Sequence, residues 1–139
     1  MAGKADFLEN QLLDHVFRAV SIFATPANVY IALFTTTPTG DDGTGGTEVT
    51  GGAYARVTAA TGTGNWKDPS TATQGQTKNL VKLVFPVATA NWGTINGMGI
   101  YDASGGGNLY YFGDITTPTA VNSGSQAFFE INDITVAEA

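Results

Sequence analysis

The chain has 139 residues, of which 42% are hydrophobic and 13% charged, with 18 glycines, five prolines and no cysteine; this length supports one domain, and the apolar fraction excludes a disordered chain. Six basic residues against twelve acidic ones give a net charge of −6, which offers no electrostatic footprint for a phosphate backbone and argues against nucleic acid as a partner. Without cysteine there is no disulfide framework, thiolate nucleophile or sulfur-ligated metal.

Residues 8–20 carry a helical period: Leu8, Leu12, Leu13, Val16, Phe17 and Val20 recur at three- and four-residue spacing among polar positions. The spacing predicts a helix over residues 6–23, with Asp6 as N-cap, Glu9 completing a capping-box arrangement and Pro26 ending it. The apolar stretch 16–24 is interrupted by Arg18 and preceded by Asp6, Glu9 and Asp14, the reverse of a signal peptide's basic leader. No apolar run approaches the roughly 20 residues of a membrane helix. The chain is therefore expected to be made and assembled in a cytoplasm, without membrane insertion.

After Pro26 the chain reads as strand and turn. Residues 29–36 (VYIALFTT) are apolar on both alternating faces, as in a central strand covered on both sides. Residues 37–53, with six glycines, two adjacent acids and Pro38, predict a long exposed loop. Residues 54–61 alternate as a strand, 62–77 form a second polar excursion, and 80–85 form a strand stopped by Pro86. Strands at 94–101 and 109–113 flank a hairpin loop at 102–108, and 126–136 closes the chain. The expected fold is mainly β: a β-sandwich or jelly-roll-like body with one N-terminal α-helix. Residues 1–25 would form a docking segment and helix, and residues 26–139 the β body, in one structural domain overall.

Parts for catalysis are few. His15 neighbours Asp14, but adjacent helical positions point about 100° apart and form no dyad. None of Ser21, Ser70, Ser104, Ser123 and Ser125 lies in a nucleophile-elbow pattern. The glycine clusters at 43–46 and 62–64 lack a Walker lysine and read as turns. Asp41, Asp42 and Glu48 share one loop and are weak candidates for a cation, but their spacing is not that of a calcium loop. Asp102 and Asp114, weighed as a glycosidase pair, read as turn formers. The expectation is a non-enzymatic protein with no cofactor and no metal.

Other residues point to assembly. Low charge with much Thr and Gly suits a subunit covered by protein partners, since ordinary domains carry about a quarter charged residues. Phe7, Leu8, Leu12, Ile22 and Phe23 exceed what one sheet edge covers and are expected to form an assembly interface. Arg56 closes the Gly-rich loop and is expected to clamp Glu48 or backbone carbonyls. Trp66 and Tyr111 are candidates for exposed contacts with a sugar or a neighbouring subunit. Trp92 reads as a buried anchor, with Gly93 admitting another backbone close to its indole.

Several segments together carry a resemblance: Asp6-Phe7-Leu8-Glu9-Asn10, Leu12-Leu13-Asp14-His15-Val16-Phe17, Val29-Tyr30-Ile31-Ala32-Leu33-Phe34-Thr35, Gly46-Thr47-Glu48-Val49 and Gly52-Ala53-Tyr54-Ala55-Arg56. Later ones are Phe85-Pro86-Val87-Ala88-Thr89-Ala90-Asn91-Trp92-Gly93, Gly99-Ile100-Tyr101-Asp102 and Leu109-Tyr110-Tyr111-Phe112-Gly113. In this order they resemble a family of small bacteriophage virion proteins often labelled tail-fibre proteins, built as one helix followed by a β-rich body. The resemblance spans most of the chain; residues 59–79 match nothing in it, and residues 19–23 are more apolar than the Gly-containing turn expected there.

The resemblance implies a virion structural protein assembled in the host cytoplasm: an oligomeric tail-fibre or tail-tip subunit on the virion surface. The alternatives are a decoration protein that cements the head shell and a carbohydrate-binding host-attachment module. The implied partners are copies of itself in a trimer or other cyclic oligomer, the tail or major capsid protein, and a host surface glycan.

Overall fold

In the computed structural model, residues 3–70 and 75–138 are described. The order is β1 (Gly3–Lys4), α1 (Asp6–Phe17), β2 (Asn28–Thr36), β3 (Thr47–Glu48), β4 (Val57–Ala60), β5 (Gln76–Lys78), β6 (Leu83–Val87), β7 (Gly93–Tyr101), β8 (Leu109–Val121), β9 (Gln126–Phe129) and β10 (Thr135–Ala137). The protein is mainly β, with antiparallel sheets and one N-terminal helix.

The six-stranded sheet runs β1-β8-β7-β2, and the far edge of β2 is shared by β4 and β3. Two ribbons, β5–β10 and β6–β9, complete the strand pairing. In β2 four consecutive residues, Ile31 to Phe34, are buried, because both faces of this central strand are covered. Ile31 pairs with Ile100 and Leu33 with Met98, and these side chains share one core with Leu83 and Phe85 of β6 and Ile134 and Val136 from the β10 end. On the opposite face lie Ala32, Phe34 and Leu109. There β2 and β7 approach so closely that a Cβ on Gly99 would lie 2.8 Å from the Phe34 ring, so glycine is required.

The helix is shorter than its apolar period. It ends at Phe17, where the Arg18 N–H donates to the Asp14 carbonyl, and Ala19 takes a left-handed φ of 54°. The apolar residues after it do not extend the helix; they bring Phe23 back into a three-ring cluster with Phe7 and Tyr110, their ring centroids 6.1 and 5.2 Å from its own. The N-cap is the buried Ala5, with no side-chain cap; Asp6 is the first helical residue, and its N–H donates to the Asp41 carbonyl at 2.9 Å.

Four strand boundaries also differ from the pattern. β6 runs through Pro86, because the β6–β9 register shifts between Val84 and Val87 and no ladder N–H is needed there. β8 continues past Gly113 to Val121: Gly97 faces Asp114 but Ile95 faces Thr119, so the segment containing Pro118 bulges out of the ladder. Residues 126–136 divide into β9 and β10 at a turn where Asn132 has a φ of 70°. The predicted strand over 54–61 pairs only from Val57 onward. Of the predicted 62–77 excursion, residues 71–74 lie outside the described residues; Trp66 bridges Asn79 and residues 76–77 belong to β5.

Trp92 is buried, as its pattern predicts, but the backbone beside its indole is that of Gly52, not Gly93. The indole N–H donates to the Gly52 carbonyl at 2.8 Å. A Cβ on Gly52, whose φ is 58°, would come within 3.0 Å of that nitrogen and 3.1 Å of the Ala90 carbonyl oxygen. Gly52→Ala is expected to cost about 1–2 kcal/mol for the left-handed conformation alone, read as a lowered urea midpoint followed by Trp fluorescence.

Candidate functional site

Two features stand out: a charged clamp beneath the glycine-rich loops, and an apolar helix face that none of the described residues covers.

The clamp is built on the segment between the first long loop and β4. The Tyr54 hydroxyl accepts the Leu33 N–H at 3.0 Å and donates to Glu48 Oε1 at 2.8 Å. Arg56 grips the same carboxylate in parallel, Nε to Oε1 and Nη2 to Oε2, both at 2.8 Å. Its Nη1 donates to the carbonyls of Ala103 at 2.9 Å and Gly106 at 2.7 Å, and its Cζ sits 3.7 Å from the centroid of the Tyr101 ring. One guanidinium, with its side chain only 6% exposed, thus joins the 37–53 loop, the approach to β4 and the 102–108 hairpin tip. The planar fork of arginine is what allows this: it satisfies a carboxylate on one edge, carbonyls at its remaining nitrogen and an aromatic face at the same time.

Burial alone pushes the Glu48 carboxyl up, but the hydrogen bonds from Arg56 and Tyr54 outweigh it and hold the group below the usual carboxylate range. The Glu48 hydrogen bond holds Arg56 up, and burial pushes the Tyr54 phenol up. A charged pair and a neutral phenol therefore coexist at neutral pH, and their geometry orients loops. Glu138 is similar: burial raises it, while Lys4, 2.6 Å away, and the Tyr111 hydroxyl more than compensate.

Because these two folded values are depressed, the unfolded chain takes up the protons first as pH falls. Their contribution is complete above the unfolded carboxylate value of about 4.3 and is lost as pH drops through the folded values. Urea midpoints should fall between pH 6 and pH 3, and Glu48→Gln should flatten part of that slope.

The remaining predicted positions are distributed differently. Asp42 accepts the N–H and hydroxyl of Thr44 at 3.0 and 2.7 Å, which holds its carboxyl down, while Glu48 belongs to the clamp. Asp41, Asp42 and Glu48 are not brought together, and no group of three ligating side chains occurs among the described residues. Trp66 and Tyr111 are half-buried against the core instead of exposed. The Trp66 indole N–H donates to the Ala60 carbonyl at 3.1 Å, and the Tyr111 hydroxyl donates to Glu138.

Of the five residues expected at an assembly interface, Phe7, Leu8 and Phe23 pack on the chain's own core, while Leu12 and Ile22 are exposed. The larger exposed surface comes from Leu13, Val16, Phe17 and Val20, with Phe17 78% exposed; no residue of α1 is buried. At about 100° per residue, Leu12, Val16, Leu13 and Phe17 span an arc of about 140°, with Phe7 on the other side. The first turn of α1 thus holds the helix on Tyr110 while the apolar arc faces outward. This could have been found in the spacing by asking which apolar side Phe7 occupies.

No helix among the described residues is long and apolar enough to cross a membrane. A comparison with curated proteins returns no match. The sequence model of the family described as "Gp80: Podophage GP4 fiber I protein gp80" matches residues 3–137, nearly the whole chain, including the helix, both halves of the Arg56 clamp and every strand of the large sheet. A helix followed by a β-rich body with its long loops tied down is thus that of a bacteriophage fibre structural protein, a virion component, and the chain belongs to the Gp80 fibre family.

Proposed function

We propose that this chain is a non-enzymatic fibre subunit that assembles with copies of itself, as a trimer or other cyclic oligomer, and joins the tail through its N-terminal segment and helix, residues 1–25, while the β body of residues 26–139 presents the clamped loops outward. The observation that carries this reading is the outward apolar arc of α1 in a member of a fibre family. A contiguous exposed apolar face of this kind marks an interaction site. The clamp supports the display role, because it fixes two glycine-rich loops whose backbones would otherwise lose much entropy on meeting any partner.

Localising the protein in images of intact particles tests the placement. Density on the tail is the expected result; density on the head shell would replace it with a cement role, and absence from the particle would overturn both. Light scattering of the purified chain tests self-association, with a strict monomer at micromolar concentration as the contrary result.

A further inference from the structure

Beyond Phe112, the outer edge of β8 pairs with no strand among the described residues. Between that edge and β9 lies an open groove of about 540 Å³. Its floor is the core itself: Leu33, Phe85, Met98 and Ile134 line it, and each is at most 5% exposed. Its rim carries two carboxylates, Asp114 and Asp133. This volume lies in the range of about 300–1,000 Å³ typical of binding clefts.

The same chain carries a surface of complementary character. The apolar arc of α1 ends at Phe17, its most exposed large side chain, and is flanked by His15 and by Arg18, which pairs only with Asp14 one turn earlier in its own helix. Within one molecule the two surfaces stay apart. α1 is held at the Tyr110 end of β8, with Phe7 6.0 Å from that ring, whereas the groove follows residues 114–121, which begin about 13 Å further along the strand at about 3.3 Å per residue.

We infer that α1 of one copy seats in the β8–β9 groove of a second copy, Phe17 entering over Met98 and Phe85 and Arg18 reaching the Asp114 and Asp133 rim. Apolar face meets apolar floor and the basic end meets the acidic rim, which supplies register as well as area. The contact joins two different patches, so it builds a ring where the rotation closes and a filament where it does not, while a two-fold arrangement that makes it reciprocal gives a dimer. The inference rests on the self-association proposed above, specifies its surfaces and assigns the outward arc of α1 to them, so that the tail is met by the segment before the helix and the helix's remaining faces.

The test uses the full chain in two variants: Phe17→Asp, with an intact groove, and Thr119→Trp, which fills the groove from an exposed position on β8 that shares the face of the buried Val121, while leaving the helix intact. Thr119→Lys serves as a second groove variant if the first fails to fold by circular dichroism. Each alone should lose self-association by about 100-fold or more in light scattering. Mixed, they should form a 1:1 complex that grows no further, since one copy offers only a groove and the other only a helix.

Arg18→Asp should weaken association, and Arg18→Asp combined with Asp114→Arg should restore part of it. Loss of association in Phe17→Asp with none in the groove variants would mean that the helix meets something else, and would overturn the inference. So would association in Phe17→Asp that only groove filling abolishes, the result expected of an inserted strand. A monomeric wild type would overturn the oligomer itself; an oligomeric wild type whose variants fail to complement would overturn only this docking.

Discussion

Arg56→Ala should lower the stability of the folded chain by about 3 kcal/mol, the low end of the range found when one partner of a buried ion pair is removed, since Glu48 is only partly buried, with a fall in the melting midpoint on the order of 10 °C. The effect is large because the losses coincide. Glu48 keeps its partly buried carboxylate but loses both of its guanidinium donors, and the carbonyls of Ala103 and Gly106 lose theirs. Tyr101 also loses the cation over its face. Arg56→Lys should recover less than half, since an ammonium keeps the charge but cannot grip two carboxylate oxygens and two carbonyls together. Glu48→Gln should cost less than Arg56→Ala. Urea denaturation at pH 7 measures all three, and hydrogen exchange at residues 103–107 should rise in Arg56→Ala. Equal stability of wild type and Arg56→Lys would reduce the clamp to an ordinary surface arginine.

Asn79→Leu should cost a similar or greater amount, about 3–5 kcal/mol, for a different reason. Asn79 is fully buried, its Oδ1 accepts the Ile134 N–H at 2.9 Å, and its Nδ2 donates to the carbonyls of Val81 and Glu130 at 2.9 and 2.8 Å. Its backbone carbonyl also accepts the Asn132 N–H. One amide therefore satisfies three backbone groups, two in the turn that divides β9 from β10 and one at Val81 ahead of β6, and leucine of similar size would leave them without partners at about 1–3 kcal/mol each. Asn79→Asp keeps the acceptor but loses both donors and buries a carboxylate. Its destabilisation should be severe at pH 7 and smaller near pH 4, where the introduced carboxyl can be neutral. An unfolding free energy within about 0.5 kcal/mol of wild type for Asn79→Leu, the usual range of surface changes, would show that water or rearrangement supplies the missing partners.

The clamp was legible because its parts lie close in sequence: Glu48, Tyr54 and Arg56 surround one glycine-rich turn, and arginine suits a carboxylate anchored nearby. Its far side was not. Ala103 and Gly106 are reached across 47 and 50 residues, and only hairpin closure of β7 and β8 brings them there. Asn79 gave no local signal at all, since an asparagine between a polar excursion and the start of a strand looks like any turn residue until β10 folds over it.

What the residue pattern by itself determined is the mainly β class, the N-terminal helix, the doubly covered central strand and the buried Trp92. Each follows from periodicity or composition over a few neighbouring residues, where side-chain direction depends only on the local backbone. The tertiary structure decided where elements end and which apolar residues stay outside. Pro86 and Pro118 remain within strands because the register slips beside them. Phe7 and Phe23 turn inward because Tyr110 receives them, and that docking leaves Leu13, Val16 and Phe17 facing out. A hydrophobic period states that a face must be covered; only the packing of distant strands decides whether the chain covers it itself or leaves it for a partner.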